Sequence, residues 1–208
     1  MQVILSPWQT KVWNDDHRFR IVCAGRRSGK SVLSQLTAID WANKEVGRYW
    51  IVCPTYRQAK SIHWEGLRHY VPQKLIEKKN EVELSITLTN GSTIELKGAE
   101  NPDALRGHKL RGLVVDEIAS IRNWDWLWNE VLQGTLVDYQ APVLFISTPK
   151  GYNHFYQLFE QGQQVSGIYK SWRFSSYDND KVPGLKEDVD RLKHELTADT
   201  FAQEYLAD

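Results

Sequence analysis

Two short stretches of this 208-residue chain combine residue types that handle phosphate. The first is Ala24-Gly25-Arg26-Arg27-Ser28-Gly29-Lys30-Ser31. A glycine-rich turn running into Lys-Ser at a helix start is a P-loop pattern: backbone N–H groups and the helix N-terminus make a concave positive site for phosphate oxygens. Lys30 would reach the β- and γ-phosphates of ATP, and the Ser31 hydroxyl would serve Mg2+. Ala24 stands where such a loop usually opens with glycine, which is tolerable if its φ stays negative. Arg26 and Arg27 are bulky for a phosphate loop, and their types suit either phosphates or neighbouring carboxylates. The second stretch is Leu113-Val114-Val115-Asp116-Glu117, an apolar run ending in two acids. Asp116 suits Mg2+ held through its water shell, and Glu117 suits orienting and deprotonating a water. The plain alternative for either acid is to cap the next segment.

These residues need a strand, a loop and a helix in fixed order. Phe19 to Ala24 reads as a buried strand, and the apolar spacing from Ser31 to Val46 reads as a helix stopped by Gly47. Upstream, Ser6-Pro7-Trp8-Gln9 carries a cap, an N1 proline and a capping-box glutamine. Tyr49 to Cys53 is a second strand, followed by a helix from about Arg57 to Val71. Alternating polarity in Glu83–Leu88 and Ser92–Lys97 around Asn90-Gly91 predicts a β-hairpin with a type I′ turn. Gly112 to Val115 and Pro142 to Ile146 are buried strands on either side of a Trp-rich helix, about Trp124 to Asp138. Helices near Asn153–Gln161 and Gly184–Leu206 flank a last strand, Tyr169 to Phe174. The rhythm is that of an α/β fold with a mainly parallel central sheet and an inserted hairpin. The expected division is a core over 1–150 and a small acidic subdomain over 151–208.

Composition excludes several classes. Apolar residues are 41% and charged residues 25%, the balance of a globular protein rather than a disordered or collagen-like one. The longest uncharged apolar run, Ala141 to Ile146, is far below the ~20 residues of a bilayer span, and no secretory pattern opens the chain. Cys23 and Cys53 are too few and too far apart for a metal cluster and read as buried thiols. Net charge is zero, but Asp178–Asp208 holds nine acidic residues against four basic, so the remainder carries +5. The nine tryptophans are scattered, as packing residues are.

The phosphate loop with its two arginines, Cys53-Pro54-Thr55 after the second strand, Leu113–Glu117 and Ser147-Thr148-Pro149 together resemble the large terminase subunits of tailed bacteriophages. The resemblance runs from Gln9 to about Pro149, with the C-terminal portion similar to that family's lid subdomain. It implies a RecA-like, ASCE-type P-loop fold in which one strand separates the P-loop strand from the Asp-Glu strand. It also implies an ATP- and Mg2+-dependent motor that drives double-stranded DNA into a procapsid. On the same resemblance Gln9 reads adenine, Ser147 and Thr148 couple the γ-phosphate to motion, and Arg106 is a finger for the neighbouring subunit's site, with Arg111 as its rival. The implied partners are a portal or procapsid, a small terminase subunit and copies of the chain in a ring, with the isolated domain a monomer, in the cytoplasm of an infected host and with no membrane.

DNA contacts would be to phosphates, and so salt-sensitive and indifferent to sequence. Family members also carry a nuclease. No acidic metal cluster stands out beyond the ATPase motifs, and Asp188, Asp190, Glu195 and Asp199 read as a solvated helix face. The expectation is therefore an ATPase portion without DNA cleavage. Two rivals remain open on these residues: a helicase-like DNA-dependent ATPase, which needs a second RecA-like domain, and a nucleotide sensor that does not hydrolyse, against which Glu117 argues.

Overall fold

The computed structural model describes residues 3–164 and 167–208. An eight-stranded sheet runs β3-β4-β5-β2-β6-β7-β1-β8. Its strands are β1 (Phe19–Ala24), β2 (Arg48–Cys53), β3 (Ile76–Asn80), β4 (Ser85–Leu88), β5 (Thr93–Gly98), β6 (Gly112–Asp116), β7 (Val143–Ser147) and β8 (Tyr169–Phe174). From β5 to β8 every pairing is parallel, and β3-β4-β5 is antiparallel. β7 lies between β1 and β6, the separation expected of an ASCE-type sheet. The chemistry-bearing ends of β1, β6 and β7 therefore open on one edge, where open α/β sheets place their ligands.

Successive strand residues point to opposite faces, and both faces are covered. Ile21, Cys23, Trp50, Leu113, Val115 and Phe145 pack with α4 (124–136, with a π-turn at Leu127–Leu132) and α5 (His154–Gly162). Val22, Ala24, Tyr49, Ile51, Val114 and Leu144 face α1 (Pro7–Trp13), α2 (Lys30–Lys44) and α3 (56–70, with a π-turn at Lys60–Trp64). Burial on both sides explains why these strands read as continuous apolar runs instead of alternating ones. Most tryptophans are core residues as expected, but Trp126 is 40% exposed. Among the described residues no helix is long and apolar enough to cross a membrane.

Three expectations need correction. The Asn90-Gly91 turn is not type I′, which demands positive φ at both residues. Only Gly91 takes it, at 90°, while its N–H donates to Leu88 O at 2.8 Å, giving a turn followed by a left-handed glycine. Ile76–Asn80 adds a third antiparallel strand, hidden in the sequence because its polar residues do not alternate with apolar ones. The predicted helix Gly184–Leu206 is two: α6 (Leu185–Glu195) and α7 (198–206), because Thr197 takes an extended conformation and its side chain caps the second by accepting from Thr200 N.

The expected boundary at 150/151 falls between β7 and α5. β8 pairs with β1 along its whole length, so it belongs to the main sheet. The separate small cluster, Leu185, Val189 and Phe201 with Tyr177, Leu196 and Tyr205, gathers after it.

Candidate active site

The phosphate loop leaves β1 at Ala24, which is fully buried and takes no positive φ, so the condition for alanine there is met. The crowded glycine is Gly25, where a Cβ would overlap Tyr205 O and come within 2.7 Å of Ser176 Oγ. Arg27 and Gly29 take positive φ, 58° and 99°, turning the loop into α2. Four successive carbonyls are tied from outside. Ser176 Oγ donates to Arg26 O at 2.6 Å, Asn179 Nδ2 to Arg27 O at 2.6 Å, Trp8 Nε1 to Ser28 O at 3.2 Å and Gln9 Nε2 to Gly29 O at 3.0 Å. With the carbonyls held, the first turn of α2 keeps its amides free of intrahelical partners, the arrangement an anion requires.

Lys30 is buried, and its Nζ donates to Ala24 O at 3.0 Å, Gly25 O at 2.9 Å and Thr148 Oγ1 at 3.1 Å. Burial pulls its pKa below the ordinary lysine value, opposed by the charges of Glu117 and Asp116. Asp116, at the end of β6, is 1% exposed and accepts from Glu117 N at 2.8 Å. Glu117 follows in a left-handed conformation, φ 54°, uncommon for a residue with a side chain and found where a site over-determines the backbone. Its carboxylate accepts from Ser147 Oγ at 3.4 Å, and Ser147 Oγ accepts from Ala119 N at 3.3 Å. Burial, then the charge of Asp116, push the Glu117 pKa up, against Lys30, Ser147 and Arg26.

A cavity of about 1190 Å³ opens onto Gln9, Arg27, Lys30, Ser31, Glu117 and Thr148. Of the residues singled out in the sequence, these six share the cavity; Ser147 is buried behind it with its hydroxyl on Glu117, while the Thr148 hydroxyl is on Lys30. Gln9 both joins the capping box, accepting from Ser6 N at 2.9 Å, and lines the cavity. Ser31 and the buried Asp116 offer hard oxygen donors, and Asp116 Oδ2 lacks a well-aligned hydrogen bond. That donor set fits Mg2+.

The arginines separate. Arg26 is turned to Glu204, pairing with its carboxylate while its own N–H donates to Glu204 O at 2.6 Å. Arg106 does not line the cavity: it is half-exposed, pairs with Asp103 at 3.1 Å and lies 5.2 Å over Trp126. Arg111 is at the opposite end of β6, bound to Glu45 and stacked at 3.8 Å on Tyr139. Sequence reasoning missed the residues that hold the loops: Trp8, Ser176, Asn179 and Glu204 around the phosphate loop, and Asn153 and His154 after Glu117. Asn153 Nδ2 donates to Ala119 O at 3.0 Å, and His154 Nε2 sits 2.7 Å from Ile118 O. No spacing rule links them to the motifs; only the Asn153 helix cap was visible, as a boundary.

Residues 21–208 match the family model for the terminase large subunit, T4-like virus type, N-terminal part. The large terminase subunit of Escherichia phage T5 is 27% identical over 202 residues, 92% of this chain and 44% of that protein. That of Thermus phage G20c is 31% identical over 163 residues, 69% of this chain and 33% of that protein. The chain therefore spans less than half the length of the curated relatives it matches. Among solved structures, the large terminase ATPase domain of Thermus phage P74-26 superposes with a TM-score of 0.84 at 26% identity, covering 96% of this chain and 92% of that one. The large terminase of bacteriophage HK97, at 14% identity and a TM-score of 0.75, shares the fold over 99% of this chain and 51% of its own. A phosphate loop, an Asp-Glu strand and a hydroxyl-bearing strand end thus sit on the same RecA-like sheet as those relatives, and the chain belongs to the large terminase subunit family.

Proposed function

We propose that this chain is the ATP-hydrolysing motor domain of a large terminase, powering the entry of double-stranded DNA into a procapsid. The observation that carries the proposal is the convergence of Lys30, Glu117 and Thr148 on one cavity behind a loop whose carbonyls are tied outward. On ATP binding, Lys30 exchanges Ala24 O, Gly25 O and Thr148 for β- and γ-phosphate oxygens. Glu117 orients a water in line with the γ-phosphorus and takes its proton, so that the bond to the β–γ bridging oxygen breaks and ADP and phosphate leave. Mg2+, when bound near Ser31 and Asp116, supplies charge neutralisation. Gln9 contacts the adenine. Ser147 and Thr148, one on Glu117 and the other on Lys30, register the loss of the γ-phosphate.

Arg106, outside its own cavity and exposed beside Trp126, acts on a neighbouring subunit's nucleotide. A guanidinium suits that work because it stays charged and binds phosphate oxygens bidentately. The lid comprises roughly residues 175–208, whose Ser176, Asn179 and Glu204 hold the phosphate loop. The assembled state is a ring on a portal with a small terminase subunit, in the host cytoplasm; the isolated domain is monomeric, and its DNA contacts are to phosphates. The test is phosphate release beside nucleotide binding. Lys30→Ala should lose both, and Glu117→Gln should bind ATP while turnover drops by ~10² or more. Normal turnover by Glu117→Gln removes Glu117 from the mechanism.

A further inference from the structure

At the end of β6, outside the lining of the cavity, lies a buried polar chain whose members before Asp116 have no role so far. It begins at Gln35 on α2, passes through His63 in the π-turn of α3 and ends on Asp116, and all three side chains are buried. Gln35 Nε2 lies 3.1 Å from Ile62 O and 3.2 Å from His63 Nδ1. A backbone carbonyl only accepts, so the Gln35 group facing it is the amide NH2. The same NH2 meets His63 Nδ1, which must then be the ring's acceptor, and the ring hydrogen sits on Nε2. His63 Nε2 is 2.9 Å from Asp116 Oδ2, with the two side chains 0% and 1% exposed. The two atoms touch, but the approach is too far off the N–H axis to make a hydrogen bond in this conformation.

The local sequence is shaped around this chain. A Cβ at Gly66, one turn beyond His63, would overlap the Gln35 amide, so glycine there leaves Gln35 its place. The π-turn at Lys60–Trp64 widens the helix where His63 projects, and such turns recur at functional sites. Asp116 is thereby met from two directions, its Oδ1 accepting from Glu117 N at 2.8 Å and its Oδ2 in 2.9 Å contact with the imidazole Nε2. A buried carboxylate needs such donors, and the partners behind a metal-side ligand set its orientation.

We infer that His63, its hydrogen fixed on Nε2 by Gln35, is a positioning residue that orients Asp116 for the metal. The inference rests on the proposed metal-side role of Asp116. Mn2+ titrated into the 208-residue chain in the presence of ADP, with free Mn2+ read by electron paramagnetic resonance, measures metal affinity without turnover. His63→Phe keeps a ring of similar volume but no donor, and should weaken Mn2+ binding about 10- to 100-fold, while ADP affinity in EDTA stays unchanged. His63→Gln, which returns a donor near the Nε2 position, should recover most of the loss. Nitrogen-15 imidazole shifts of the wild type should place the hydrogen of His63 on Nε2.

A folded His63→Phe chain with wild-type Mn2+ affinity, or a lowered melting temperature as its sole effect, overturns the inference, as does a hydrogen on Nδ1. Should His63→Phe not fold, Gly66→Ala displaces Gln35 and frees the ring, and unchanged Mn2+ affinity there overturns it equally. Asp116→Asn separates the two levels. If it too leaves Mn2+ affinity intact, the role of Asp116 fails and that of His63 with it; if it weakens binding while His63→Phe does not, only the role of His63 fails.

Discussion

Replacing Gln9 by leucine tests whether one amide ties the first helix to the phosphate loop. In the folded chain Gln9 Oε1 accepts from Ser6 N at 2.9 Å, and Gln9 Nε2 donates to Gly29 O at 3.0 Å. Ser6 is fully buried and Gln9 is 5% exposed, so no water substitutes readily for the lost partner. Leaving the Ser6 amide unsatisfied costs about 1–3 kcal/mol, and losing the bond to Gly29 O costs about 0.5–1.5 kcal/mol more. The sum is about 3 kcal/mol. At about 2–4 °C per kcal/mol for a chain of this size, melting followed by circular dichroism should fall by about 6–12 °C. ADP affinity should fall with it, because Gly29 opens α2 and its carbonyl would keep only the intrahelical bond from Leu33 N at 3.2 Å. If Gln9 also reads the base, the preference for ADP over GDP narrows as well. A Gln9→Leu chain that melts within about 2 °C of wild type refutes the argument, since both bonds would then be dispensable.

Three further outcomes follow from the same geometry. Acidification should quench turnover above the ordinary carboxylate range: burial and Asp116 raise the Glu117 pKa, the base works only when deprotonated, and a pH–rate profile would reveal an acid limb in the usual carboxylate range if this is wrong. The same shift means the folded chain holds that proton more tightly than the unfolded one, so stability falls as pH rises from the ordinary value through the raised one. Glu117→Gln should consequently melt higher than wild type at neutral pH, with the gap closing in acid; equal melting at all pH values would contradict it. If Arg106 acts in trans, the specific activity of the wild type should rise with protein concentration, and Arg106→Ala should remove that rise while leaving ATP affinity nearly unchanged. A finger can be worth ~10³ to 10⁵ in rate, and mixing Arg106→Ala with Lys30→Ala should restore activity at some interfaces. A mixture as inactive as its parents, where wild type assembles, would exclude action in trans.

The parallel core was legible because its strands are buried on both faces. Runs such as Phe19–Ala24 and Leu113–Val115 have no other stable use, and glycine, Lys-Ser or Asp-Glu at their ends marked the site edge. The Asn90-Gly91 pair announced a hairpin, yet its turn type depended on a φ at Asn90 that composition does not fix. Ile76–Asn80 was illegible because an edge strand half in solvent needs little apolar pattern. The candidate site was readable where a residue stands at the end of a motif, as with Lys30 and Glu117, which share the cavity. It was unreadable where the task is shared through the backbone: Ser176 and Asn179, about 150 residues from the loop they hold, are ordinary polar residues in sequence.

The two margins of the sheet bear on how copies of this chain can meet. An outer strand exposes unpaired N–H and C=O groups and is a template for strand addition from another molecule. Here β3 is Ile76-Glu77-Lys78-Lys79-Asn80, with its pairing to β4 shifted between Ile76 and Lys78, and Glu77 and Lys78 exposed. At the other margin β8 exposes Lys170 and Arg173, while Gln163 Nε2 donates to Ser171 O at 3.1 Å and occupies part of the strand's bonding edge. Charge, irregularity and a side-chain plug therefore block continuation of the sheet from molecule to molecule. Under the proposed function, in which several copies crowd around one duplex, this leaves contacts between subunits to loops such as the one carrying the exposed Arg106, free of competition from indefinite strand-by-strand growth.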